Sequence, residues 1–323
     1  MKFARLSVLS ASLLIAACSG GSDSFGGTLP SVTTFAITSA NATTVTRVSW
    51  EAAIASGGFG QLGGSTGPIT VTPDGFSKPS GAQKAAGVLI DAFPQVPFGP
   101  DISPCLVDGT VTTSGDVADP LTITTGDTFR VEYEFCDDGF GEVINGVIDF
   151  TVRDFTGDLL TGLYMVSMDA IVTNMQVMTS TDTITNNGDA TVSLDYTESP
   201  FLEAGVSGSS MTIDSNSSSE TLSNYSSGQT IDAGVQELPF TMTAFGTLDT
   251  TELDGIVQYT TPVTFTGEGF DYPSSGSMLV EGEDSWARLT AVDNVDVTIE
   301  VDANGDGVID DTINTTWADL TSP

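Results

Sequence analysis

From Thr128 to Cys136 apolar and charged side chains alternate without a break. Phe129, Val131, Tyr133 and Phe135 fall on one side, and Arg130, Glu132 and Glu134 on the other. A period of two places successive side chains on opposite faces of a strand, so this stretch predicts a sheet with one covered face. The same texture recurs down the chain. Strands are predicted at Val143 to Val152, Leu159 to Met178, Phe240 to Phe245, Gly255 to Phe265, Ser277 to Glu281, Ala287 to Ala291, Val295 to Asp302 and Asp311 to Trp317. Thr183-Ile184 and Thr191 to Tyr196 flank Asn186-Asn187-Gly188-Asp189, which reads as a hairpin turn. Between Ser207 and Gly228 the runs SNSSSE and NYSSG read as turns around short strands. The expected fold is mainly β: an antiparallel curved sheet, a sandwich or a barrel-like sheet, with one or two short N-terminal helices.

Those helices are expected at Ser39 to Ser56, with Asn41 as N-cap, and at Gly81 to Phe93. Residues 57–67 are a glycine-rich loop with neither a leading βαβ strand nor a following Lys-Ser/Thr, a poor match to a phosphate cradle. The β-rich region is placed at 31–323, partly helical over 31–104 and antiparallel over 105–323.

The first residues have another character. Lys2 and Arg5 precede an apolar run from Leu6 to Ala17, too short to span a bilayer, and Cys18 follows. Ile15-Ala16-Ala17-Cys18 resembles the lipobox of bacterial lipoproteins. That resemblance implies a signal peptide over 1–17, acyl chains on Cys18 and a membrane partner held through them. Ser19 rather than Asp after the cysteine implies the outer membrane. Buried acyl chains contribute about 0.8 kcal/mol per CH₂, so two or three hold firmly. Residues 18–30 then form a Gly/Ser tether with a reach of about 19 Å.

Two later segments, FCDDGFGEVINGVIDF from Phe135 and YPSSGSMLVEGEDSW onward from Tyr272 to Leu320, are similar to patterns in β-rich Gram-negative lipoproteins without an assigned activity. This resemblance implies fold and address and carries over no catalytic residue.

Charge and composition narrow the chemistry. The chain has 8 basic and 43 acidic residues and no His. Loss of Met1 to Ala17 removes two of the basic side chains. A field of that sign repels nucleic acid and favours cations. Without His there is no Ser-His-Asp triad, no Cys-His dyad and no His-ligated zinc.

Acylation consumes Cys18, leaving Cys105 and Cys136 as an even pair outside the cytoplasm. The expected disulfide would contribute roughly 3–4 kcal/mol in the chain-entropy model. A redox cysteine is the weaker reading, because there is no CxxC.

One chemical motif stands near the C-terminus. Asp302-Ala303-Asn304-Gly305-Asp306-Gly307-Val308-Ile309-Asp310 matches D-x-[DN]-x-D-G-x-x-D, the oxygen spacing of calcium loops. Asp302, Asn304, Asp306 and Asp310 are the expected side-chain ligands, and the Val308 carbonyl a further one. The twelfth position, where an EF-hand has Glu, is Ile313. The competing reading is a plain hairpin whose glycines serve the turn.

Three functions remain open. The first is a tethered, non-enzymatic structural or ligand-binding domain stabilised by calcium, with a protein or glycan ligand unspecified. The others are a carboxylate glycoside hydrolase and a lipid or glycan carrier lined by Met165, Met168, Met175 and Met178. Trp50, Trp286 and Trp317 are read as core residues rather than a sugar platform.

Overall fold

A computed structural model describes residues 35–57, 100–117, 123–137, 139, 141–158, 162–180, 182–269 and 271–321. The signal segment, Cys18, the tether, most of the glycine-rich loop and the helix expected at Gly81 to Phe93 lie outside the described residues. The described part belongs to one unit, Thr33–Pro323.

That unit is one antiparallel sheet of fourteen strands, each paired with the next in sequence. The strands are β1 Asp101–Pro104, β2 Asp108–Asp116, β3 Thr128–Asp137, β4 Val143–Asp158, β5 Leu163–Met178, β6 Thr183–Asp195 and β7 Phe201–Asp214. They continue with β8 Ser219–Asp232, β9 Pro239–Thr250, β10 Gly255–Glu268, β11 Ser275–Gly282, β12 Ser285–Ala291, β13 Asp296–Asp302 and β14 Asp311–Thr316. The sheet does not close, so β1 and β14 are its edges. Of the three forms left open by the sequence, it is the curved open sheet.

Helix α1, Ala42–Gly57, packs on the inner face. It touches β7, β8 and β9 and also β11, β12 and β13. Strands six places apart would lie about 29 Å from each other in a flat sheet, so the sheet wraps around the helix. Ala42, Val45, Thr46, Val48, Ser49, Trp50, Ala52 and Ala53 are all buried, as expected of a helix enclosed on most sides. Asn41 begins the helical ladder, with its carbonyl accepting from Val45 N–H at 2.9 Å. Its side chain turns backward, however, accepting from Thr38 N–H at 2.8 Å and donating to the Ala36 carbonyl at 3.1 Å.

A short C-terminal helix, α2 Trp317–Thr321, completes the core. The Trp50 ring centroid lies 4.7 Å from that of Trp317 and 4.9 Å from that of Phe265, and Tyr272 stacks on Trp317 at 5.4 Å. The Trp317 indole N–H donates to the carbonyls of Pro273 and Asp293. Trp50 and Trp317 are therefore core residues. Trp286 stands apart, 5.2 Å from the Arg288 guanidinium. Met168 and Met175 are buried, while Met165 and Met178 are only half-buried on the opposite parity of β5, so the four do not line one pocket.

Two expected turns lie mid-strand. Asn186 to Asp189 runs through β6, and the register shifts there because the neighbouring strands carry the extra residues, β5 at Asn174 and β7 between Gly208 and Ser210. Asn224 to Gly228 lies inside β8, with Asn224 at φ 47°. Asn tolerates positive φ, which the bulge at Asn224 uses as readily as a hairpin would. A further bulge at Phe135, φ 48°, turns that ring out to solvent instead of inward with Tyr133. Bulges bring neighbouring backbones close. A Cβ on Gly146, φ 131°, would meet the carbonyl of the bulged Asn174, which only glycine avoids.

Candidate functional site: an acidic turn and a carboxylate cluster

The turn between β13 and β14 gathers Asp302, Asn304, Asp306 and Asp310. Asp302 ends β13 with its side chain fully buried. One of its carboxylate oxygens accepts from the N–H of Asn304 at 3.2 Å and of Gly305 at 2.7 Å, and the other from Gly307 at 2.7 Å. Burial by itself would raise this carboxyl. The three backbone donors and the Trp286 indole more than offset it, holding the group below the usual carboxylate range. Asn304 Oδ1 accepts from Asp306 N–H, Asp306 Oδ1 from Val308 N–H, and Asp310 Oδ2 from Ala303 N–H, each at 2.8–2.9 Å.

The turn is thus built by its own carboxylates, as a local network of side chain to backbone bonds. Asp306 and Asp310 each keep a second oxygen outside these bonds. Val308 is exposed, and Ile313 packs toward the core opposite Ile299, so no twelfth-position ligand is present. Among the described residues no group of three His, Cys, Asp or Glu side chains is arranged to hold a metal. The turn places the oxygens of two carboxylates and an amide at alternate positions, followed by Asp310.

Cys105 follows β1 and Cys136 lies in β3. Their Cα atoms are 5.5 Å apart, the spacing of a disulfide, and they pair across the edge of the sheet.

A second site was not anticipated. Asn186, Ile213, Glu220 and Thr250 are successive cross-strand partners over β6, β7, β8 and β9, so they form one row of the inner face. Above that row, α1 carries Arg47 and Glu51. Arg47 holds both Glu51 oxygens at 3.1 and 2.9 Å and also reaches Glu252 at 2.5 Å. Glu220 has no such partner. Burial, then the charges of Glu51 and Glu252, push its carboxyl up to about 7, with Arg47 only partly opposing them. Burial likewise raises Glu51 against the pull of Arg47. Asn186 is fully buried, and neither its amide nitrogen nor its oxygen has a hydrogen-bond partner. In the sequence Glu220 sits in SNSSSE and looks like a turn residue. The available signal was parity: Glu220 is two positions from Leu222, which is fully buried.

The remaining described arginines are also paired across strands: Arg130 with Asp149, Arg153 with Asp169, Arg288 with Glu300. No family model, no curated protein and no solved structure matches the chain.

Proposed function

We propose that the protein is an outer-membrane lipoprotein, acylated at Cys18, that presents a non-enzymatic, ligand-binding or structural β domain stabilised by calcium. Asp302, Asn304, Asp306, Asp310 and the Val308 carbonyl hold the ion. The Cys105–Cys136 disulfide ties down the edge of the sheet. The observation that carries calcium is the turn itself, where acids and an amide at alternate positions converge on a backbone already shaped by them. Anchoring rests on Ile15-Ala16-Ala17-Cys18 after its apolar run.

Calorimetric titration of the chain from Ser19 onward tests the ion. Saturable calcium binding with an affinity in the range 10⁻⁴–10⁻³ M, a raised Tm, and loss of both in Asp306→Ala are expected. Unchanged binding in Asp306→Ala removes the calcium assignment. Labelling cells with palmitate tests the anchor: the wild-type chain takes up label and sediments with membranes, and Cys18→Ser does neither. Label retained by Cys18→Ser would refute the anchor.

Glu220 favours one second reading, a carboxylate hydrolase, since a carboxyl raised toward neutrality is the form a general acid takes. Against it, Arg47 neutralises Glu51 and ties it to the helix. The cluster is better accounted for as the seat of α1.

A further inference from the structure

The outer face of β6 to β9 carries a trench that the calcium turn and the carboxylate cluster do not use. Ser193, Gly205, Gly228 and Thr243 are successive cross-strand partners on the face away from the core. The two central positions have no side chain, so the row, about 14 Å from its first strand to its last, dips in the middle, with the Ser193 hydroxyl leaning over Gly205. Its volume is about 500 Å³, within the range of small-ligand sites. The next row along the strands is Asp195, Glu203, Thr230 and Thr241. Through Thr230 and Thr241 the trench opens into a second hollow of about 370 Å³, walled by Phe201 and Phe240. Phe240 lies over Gly267, where a Cβ would meet the ring at 2.5 Å.

Three properties select an occupant. Ser and Thr hydroxyls both donate and accept, which suits a polyhydroxylated chain. Phe201, nearly half exposed, and Phe240 offer apolar faces at one end. Asp195 and Glu203 face each other in register, a like-charge pair that a cation between them would favour; one Asp195 oxygen accepts from the Thr197 N–H and hydroxyl, and the other lies outside those bonds. Among the described residues no Lys or Arg lines either hollow, and every arginine is paired elsewhere. A peptide would look for a sheet edge, where backbone groups are free, rather than this face.

We propose that this trench binds a short oligosaccharide bearing free, protonated amino groups. An ammonium sits between Asp195 and Glu203, and the sugar hydroxyls lie along Ser193, Thr230, Thr241 and Thr243. The proposal deepens the ligand-binding reading of the domain. Calcium and acylation have their own tests, so each can fail alone.

The test is calorimetry on the full-length protein in detergent at pH 6, with a glucosamine tetramer as probe. Its fully N-acetylated form and tetralysine serve as controls. Saturable binding of the glucosamine tetramer, with the N-acetylated tetramer and tetralysine each at least tenfold weaker, supports the proposal. Glu203→Gln is expected to weaken it about tenfold. Gly228→Ile is expected to abolish it with Tm retained, because a Cβ there makes only an ordinary 3.5 Å contact with Thr243. Tetralysine binding as tightly as the amino sugar, wild-type affinity in Gly228→Ile, or no binding of the glucosamine tetramer would each overturn it.

Discussion

Glu220→Gln is expected to stabilise the protein above pH 7 and to leave it almost unchanged near pH 4.5. The folded carboxyl titrates at about 7 against an ordinary value of 4.5, so the native state keeps its proton to higher pH than the unfolded chain. Below both values the group is protonated in both states and has no effect. As pH rises from 4.5 through 7, only the folded protein must hold on to the proton or bury a charge. Stability then falls, by about 3 kcal/mol at most once pH exceeds 7. Gln keeps the shape and removes the charge beside Glu51 and Glu252. Urea melts of both chains at pH 5 and pH 8 check this. A Gln variant no more stable than wild type at pH 8 would mean that Glu220 is relieved by something other than a proton. The effect also makes the parent protein more stable in mildly acidic than in alkaline medium.

The second large effect is expected at Trp50. Its ring contacts Trp317 and Phe265, and it is the largest side chain that α1 places in the core. Trp50→Ala removes those contacts and leaves a cavity, a loss of about 3–5 kcal/mol. For a domain of this size Tm should fall by on the order of 10 °C. Trp50→Phe retains much of the packing and should lose less than half as much. Equal losses for Ala and Phe would show that the edge-on packing against Phe265, rather than volume, sets the stability. Far-UV circular dichroism should keep its β signature in both, because the sheet's own ladders do not pass through Trp50.

Much of this fold was legible because strands announce themselves by parity. Val143 to Val152, Ala287 to Ala291 and the Thr128 run all stand as strands, and α1 starts three residues after the expected Ser39 and ends one residue past Ser56. Bulges were not legible. Asn186-Asn187-Gly188 satisfies a hairpin turn locally, and only its partners, Met175 on β5 and Ile213 on β7, show that the chain continues straight through it. For the same reason Phe135 was assigned to the wrong face: a single positive φ reverses parity without leaving a mark in the residue types. The acidic turn was legible to the residue, since its chemistry is sequential. The Glu220 cluster was not. It joins a helix at residues 47 and 51, a strand at residue 220 and a turn at residue 252, and such a meeting depends on how the sheet wraps.

The fourteen strands pair only with their neighbours in sequence, so nearly all of the ladder can form as the chain emerges, hairpin after hairpin. Low contact order of this kind favours rapid assembly. The inner helix is an exception to that order. Residue 50 meets its tryptophan partner only when residue 317 has been made. A chain interrupted before α2 would hold a finished sheet around a helix with one side uncovered, exposing apolar surface that invites aggregation or proteolysis. Helix α2 thus acts as a seal: a polypeptide that lacks it keeps its strands but leaves that side of α1 uncovered.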